Sequence, residues 1–243
     1  MSGSLQELWD YLGSERAWSG RNGLPALTWA HIQISAVAVI IAALIAIPPA
    51  VLFGHVRRGG VVAVSVVNIG RAIPSYATMA LILPFALKYG FGLGFWPTLA
   101  ALVLLAVPPI FTNTYTGIIT VPGDTLEAAR GMGMRPGQLI RQVEVPVALP
   151  LILTGLRVSA VEVVATATLG ALVAYRNLGT LIVTGYTSPT KGGLLAGAIL
   201  VAALALITDG LFALAERRLV RWRAPRGRTA DAVLAAEPEP VAA

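Results

Sequence analysis

Four ionisable side chains lie inside stretches otherwise too apolar to hold them: Arg71, Arg157, Glu162 and Asp209. A charge at the depth of a bilayer is expensive, so such residues face a cavity or a partner charge rather than lipid. Arg71 stands close before Pro74, and two readings of it are open. It lines or gates a path beside the proline break, or it pairs with Glu162 or Asp209 as an ion pair inside the bundle. Glu162 either lines the same path or neutralises Arg71, and Asp209 is expected to tether local backbone or Arg217. Catalytic chemistry has no comparable footing. The chain has no cysteine, only two histidines, His31 and His55, and neither an H-E-x-x-H nor a Ser-His-Asp constellation. The stretch from Gly54 to Gly60 holds Arg57-Arg58 but lacks the lysine–serine pair of a phosphate loop, which excludes ATP binding by that route. No catalytic or metal-ligating residue is assigned, no cofactor is expected in this chain, and it is not read as an enzyme.

Apolar helices must position these charges. Of 243 residues, 56% are hydrophobic and only 12% charged, with a mean hydropathy of +0.75, whereas a soluble domain has about a quarter of its residues charged. A globule of this size has too little interior for so much apolar surface, so the excess needs lipid to face. No Lys, Arg, Asp or Glu occurs between Asn22 and Val56, and residues 29–53 read as a first span, given that about 20 apolar residues cross the hydrocarbon core. Residues 61–87, with Arg71 and Pro74, form the second, and 96–118, kinked at Pro108-Pro109, the third. Residues 149–174, with Arg157 and Glu162, make the fourth, and 194–214, with Asp209, the fifth. The sequence therefore predicts an all-α polytopic membrane bundle of about five transmembrane helices, without the alternation of a β-barrel.

The positive charges orient it. Arg57, Arg58, Arg130, Arg135, Arg141 and the six arginines from Arg217 to Arg228 fall on one side, against Arg16, Arg21, Lys88, Arg176 and Lys191 on the other. The N-terminus is expected outside and the C-terminus in the cytoplasm. Residues 1–28 form an outward segment with a short amphipathic interfacial helix and no removable signal peptide, and 29–219 the membrane domain. Residues 220–243 read as a basic run against anionic lipid, then a disordered tail; this arrangement favours membrane lipid over nucleic acid as the partner of the basic charge. His31 is expected at the membrane interface.

One long polar interruption, residues 122–148, separates the third and fourth spans. Pro122-Gly123 ends what precedes it, and Asp124 or Thr125 is placed to cap a short helix through Arg130. Gly131, Gly133 and Gly137 break that helix, and 139–145 begins a second piece. A mere connector needs only about 4–6 residues, so this elbow is read as a grip for a cytoplasmic partner.

Its residues carry a family resemblance. Glu127-Ala128-Ala129, three residues, Gly133, nine residues, then Val143-Glu144-Val145-Pro146 resembles the EAA loop of bacterial ABC-importer permeases, with valines for the usual Ile and Leu. Arg71-Ala72-Ile73-Pro74-Ser75, Glu144 through Pro150, Gly155-Leu156-Arg157 and Asp209-Gly210-Leu211 look like the osmoprotectant branch, the permeases for glycine betaine, choline, carnitine and proline. The stretch Val173-Ala174-Tyr175-Arg176-Asn177 departs from that branch on the outer side.

The resemblance implies a type I ABC-importer permease fold in a bacterial inner membrane. It implies a coupling helix in which Glu127, Ala128, Ala129, Gly133, Val143 and Pro146 contact a cytoplasmic ATPase that carries ATP and Mg. It also implies a second permease, identical or a sister chain, and an extracytoplasmic solute-binding protein. Methionine or a sulfonate is the alternative cargo, and an ion-coupled secondary transporter the alternative class, though no internal repeat supports the latter. Aromatic side chains that could cage a quaternary ammonium, Tyr76, Phe85, Tyr115 and Tyr175, show no cage spacing.

Overall fold

The computed structural model describes residues 2–219, with the side chains of Ser2, Val61, Arg71 and Ala72 outside the described set. The expected basic run and disordered tail at 220–243 also lie outside the described residues. Every regular element is helical among those described. Four helices are long and apolar enough to cross a membrane. They are α3 (Leu24–Val56), α6 (Phe95–Ile119), the continuous Pro136–Val173 and α11 (Gly192–Leu219). The third of these comprises α8 (Pro136–Leu139), a π-helical turn Ile140–Glu144, α9 (Val145–Thr166) and a 3-10 turn Ala167–Val173. The shorter elements are α1 (Ser2–Gly13), α2 (Glu15–Trp18), α4 (Gly60–Ala72), α5 (Ser75–Lys88), α7 (Gly123–Gly131) and α10 (Leu178–Thr187).

The expected second span is therefore two helices of 13 and 14 residues rather than one. Proline clashes with a helical predecessor and pushes it to extended backbone. Ile73 obeys, at φ −85° and ψ 122°, and Pro74 opens α5. The paired prolines behave differently: Pro48-Pro49 and Pro108-Pro109 sit inside unbroken α3 and α6, where neighbouring helices support the backbone.

The core lies where α6 packs between α3 and α9. Ile34, Ala38, Ala42, Ala46 and Ala50 recur every fourth residue along α3 and are all buried, facing Leu102, Ala106 and Ile110 at the same spacing on α6. Small side chains in such rows let backbones approach, and close packing rather than a hydrophobic drive holds helices together in lipid. Gly54 continues the row at the end of α3; a Cβ there would stand 2.7 Å from Ile118. Polar ties cross the same core. His31, expected at the interface, is instead fully buried, with Nε2 2.8 Å from the Val164 carbonyl. Ser159 Oγ donates to the Ala106 carbonyl at 2.9 Å. At the opposite end from the α6–α9 connection, α1 lies across the start of α11 so closely that a Cβ on Gly192 would strike the Glu7 carbonyl.

Candidate functional site

The α6–α9 connection folds as an elbow with its own small core. Pro122 precedes α7, which starts at Gly123, so Asp124 lies in the first turn and neither it nor Thr125 is the cap. The cap expectation fails because Pro122, locked near φ −58°, already serves as the flanking residue. At the far end Gly133 adopts φ +82°. Its N–H donates to the Arg130 carbonyl at 2.9 Å and that of Met134 to the Ala129 carbonyl at 3.3 Å. These two bonds form the Schellman closure that requires a left-handed residue, the conformation glycine adopts without steric cost. Met134 then folds back onto Leu126, Ala129, Leu139 and Val121, with Val143 and Val147 completing the cluster.

The structure thus divides the six residues singled out in this segment. Glu127 and Ala128 are exposed, whereas Ala129 is buried at 2% and Val143 packs against the same small core. Gly133 makes the turn and is surrounded by open space, with nothing within 4 Å of an added Cβ. Pro146 directly follows the π-helical turn inside the continuous helix, where the preceding Val145 N–H donates to the Ile140 carbonyl. Gly123, Gly131 and Gly137 also face open space. The elbow accordingly presents an outer face with glycines and Ala128 beside two exposed carboxylates, Asp124 and Glu127.

Two ties that sequence reasoning missed bind the elbow to the end of α3. The Arg57 guanidinium donates to the Val121 carbonyl at 3.0 Å, from a residue that closes α3 at φ 54°. His55 Nδ1 lies 2.8 Å from Glu144 Oε2, and Glu144, the last residue of the π-helical turn, is only 1% exposed. An ionised carboxylate can only accept, so with Glu144 charged Nδ1 carries the hydrogen.

Among the charges within the spans, Arg157 and Asp209 form a two-pronged pair: Nε to Oδ1 at 2.6 Å and Nη2 to Oδ2 at 2.7 Å, with Glu216 at 3.9 Å. Asp209 therefore grips α9 rather than local backbone or Arg217, because the planar guanidinium fork matches a carboxylate in a way a single backbone bond does not. Glu162 is half-buried on α9, five residues and about 140° round the helix from Arg157. Pro74 stands at the break between α4 and α5 already described, and the side chain of Arg71 lies outside the described set.

At the other end, the departing stretch after Ala171 forms a rim. Ala174 takes φ +68° and crowds Gly94, whose Cβ would meet the Ala174 carbonyl at 3.0 Å. Buried Asn177 donates to the Ala167 carbonyl at 2.6 Å and accepts from Gly179 N–H at 2.8 Å, capping α10. Tyr175 donates to the Ala30 carbonyl at 3.0 Å, and burial pushes its hydroxyl above the usual tyrosine value. It borders a cavity of about 460 Å³ together with Arg21, Arg176 and Phe95. The other aromatics stay apart: Tyr115 lies against Gly60, while Tyr76 and Phe85 are exposed on α5.

Comparison with known proteins agrees with this architecture. Residues 38–221 match the family of binding-protein-dependent transport system inner membrane components. The chain is 36% identical over 192 residues to the choline transport system permease protein OpuBB of Bacillus subtilis, covering 79% of this chain and 86% of the relative. It is 32% identical over 188 residues to the osmoprotectant import permease protein OsmW of Salmonella typhimurium, covering 77% and 87%. In fold it resembles a chain of the inward-facing MetNI methionine ABC transporter, with a TM-score of 0.69 at 22% identity over 79% of this chain and 93% of that one. The chain therefore belongs to the binding-protein-dependent transport system inner membrane components, the multi-pass, non-catalytic permease subunits of ABC importers.

Proposed function

We propose that this permease serves an importer of compatible solutes of the glycine betaine, choline and carnitine class. The support is identity of about a third, spread over more than three quarters of the chain, to permeases named for choline, carnitine and osmoprotectant transport. The likeness to a methionine transporter is one of fold at 22% identity and gives that cargo no comparable support.

The elbow is read as the docking element for a cytoplasmic ATPase that carries ATP and Mg. Glu127 and Ala128 form its contact face, Ala129 and Val143 hold that face on the elbow core, and Gly133 and Pro146 set its two ends. The elbow end of the bundle is then cytoplasmic. The rim around Tyr175 faces outward toward a solute-binding protein, and residues 1–28 lie outside. A second permease, identical or a sister chain, encloses the path, which Pro74 and the half-buried Glu162 border with Arg71. Closure of the ATPases pushes the elbows together and favours the outward-open packing, and hydrolysis returns the inward-open one. In a strain deleted for this gene, uptake of radiolabelled glycine betaine and choline at high osmolarity is expected to fall to background. Undiminished uptake of both would contradict the cargo assignment.

A further inference from the structure

Three routes lead from the elbow into the bundle, and two of them are covalent: α6 runs into it and α9 runs out of it. Helix α3, 33 residues long, does not run directly into the elbow. Two polar side-chain ties connect them, Arg57 to the Val121 carbonyl and His55 to Glu144, beside the apolar packing of Ile47 and Val51 on Ile118, Ala148 and Ile152 where the elbow runs into α9. The second is the more demanding. A carboxylate 1% exposed has lost its water, and burying a charge without a partner is costly. The hydrogen-bond partner that the structure supplies comes from 89 residues away, on α3. Glu144 also closes the π-helical turn, a widened geometry found mostly as single turns at functional positions. Displacing the elbow therefore drags Glu144, and leaving His55 behind would strand a buried carboxyl group without its hydrogen-bond partner.

We propose that His55 is a positioning residue that carries elbow movement into α3 through its hydrogen bond to Glu144. The proposal rests on the reading of the elbow as the ATPase dock. His55 is 17% exposed and held in this contact, and it does not belong to the outer face formed by Glu127 and Ala128. Motion received at His55 enters α3 just beyond Pro48-Pro49, where missing amide donors make a helix compliant. It then reaches the alanine row that packs α3 on α6.

The natural absence of cysteine in this chain allows reporters at chosen positions of it, in a complete transporter whose partner subunits have their own cysteines replaced. An environment-sensitive fluorophore is placed at Leu44→Cys, exposed on α3, or at Thr125→Cys, exposed on α7, and emission is read before and after ATP with vanadate. Both reporters are expected to respond in an otherwise unaltered permease. With His55→Ala the α7 response persists and the ATPase stays bound, while the α3 response shrinks about fivefold or more. His55→Asn, whose amide nitrogen takes the place of Nδ1, restores the α3 response. Adding Glu144→Ala to His55→Ala reduces it no further, the non-additivity of two residues acting through one bond.

An α3 response that survives His55→Ala, or that is absent without it, overturns the proposal while leaving the dock intact. Failure of His55→Asn to restore the response also overturns it. A silent α7 reporter in a transporter that hydrolyses ATP overturns the dock itself, and the proposal with it.

Discussion

The elbow and the opposite rim are both connections between helices, yet they are built on opposite plans. The elbow holds its own shape with short-range devices, a proline at the start, a left-handed glycine at the turn and a miniature core of residues within 26 positions of one another, and uses long-range side chains only to anchor itself to α3. Its outer face is left bare, with open space around four glycines. The rim is held by side chains that reach across the molecule, as from Tyr175 to Ala30, and by Asn177 bonded on both sides. A surface that must receive a rigid partner is shaped by backbone geometry and kept small. A surface that shapes a cavity is shaped by side-chain networks.

This contrast is sharpest at Gly133. Gly133→Ile would force a β-branched residue to φ +82°, a strain of about 1–2 kcal/mol. Nothing lies within 4 Å of an added Cβ there, so insertion should be unaffected and melting should fall only by the several degrees that this strain implies. Uptake, however, should fall at least about 100-fold, the loss of roughly 2.7 kcal/mol or more of docking energy, and the ATPase should no longer co-purify. Full uptake in this variant would erase the distinction between the two ends. At the rim, Asn177→Ala removes two bonds and leaves the Ala167 carbonyl and the Gly179 N–H without their partner. A stability loss of about 2–4 kcal/mol is expected, read as a lower melting temperature with ATPase attachment intact. Loss of the ATPase in that variant would merge the two regions. The smallest effect is that of Tyr175→Phe, about 1 kcal/mol from one hydrogen bond, visible in thermal unfolding and not in ATPase attachment.

The same contrast decides what could be read from sequence. Local features were legible, such as the apolar runs and the turn at Gly133, because glycine acts on backbone within a residue or two; Pro74 stood out as well, but not as dividing residues 61–87 into two helices. The cap at Asp124 was misplaced by one such local competition, since Pro122 took the flanking position. The small-residue row from Ile34 to Gly54 formed no part of the sequence expectation, because a spacing of four has no direction until α6 lies against it. Contacts that depend on how helices rotate about one another were out of reach. Arg157 and Asp209 both stood out as charges in apolar runs, but their pairing across 52 positions follows from the packing of α11 on α9. His55 gave no signal at all, since its partner sits 89 positions later in a segment singled out for other residues.

The central claim is that the elbow's bare face is the ATPase dock. A photo-crosslinking amino acid at Ala128, exposed beside Glu127, tests it most directly in the assembled, ATP-hydrolysing transporter. Illumination should yield a covalent adduct of this chain with the ATPase subunit, and the same probe at Tyr186, exposed on α10, should yield none. An active transporter in which the Ala128 probe never captures the ATPase would contradict the account.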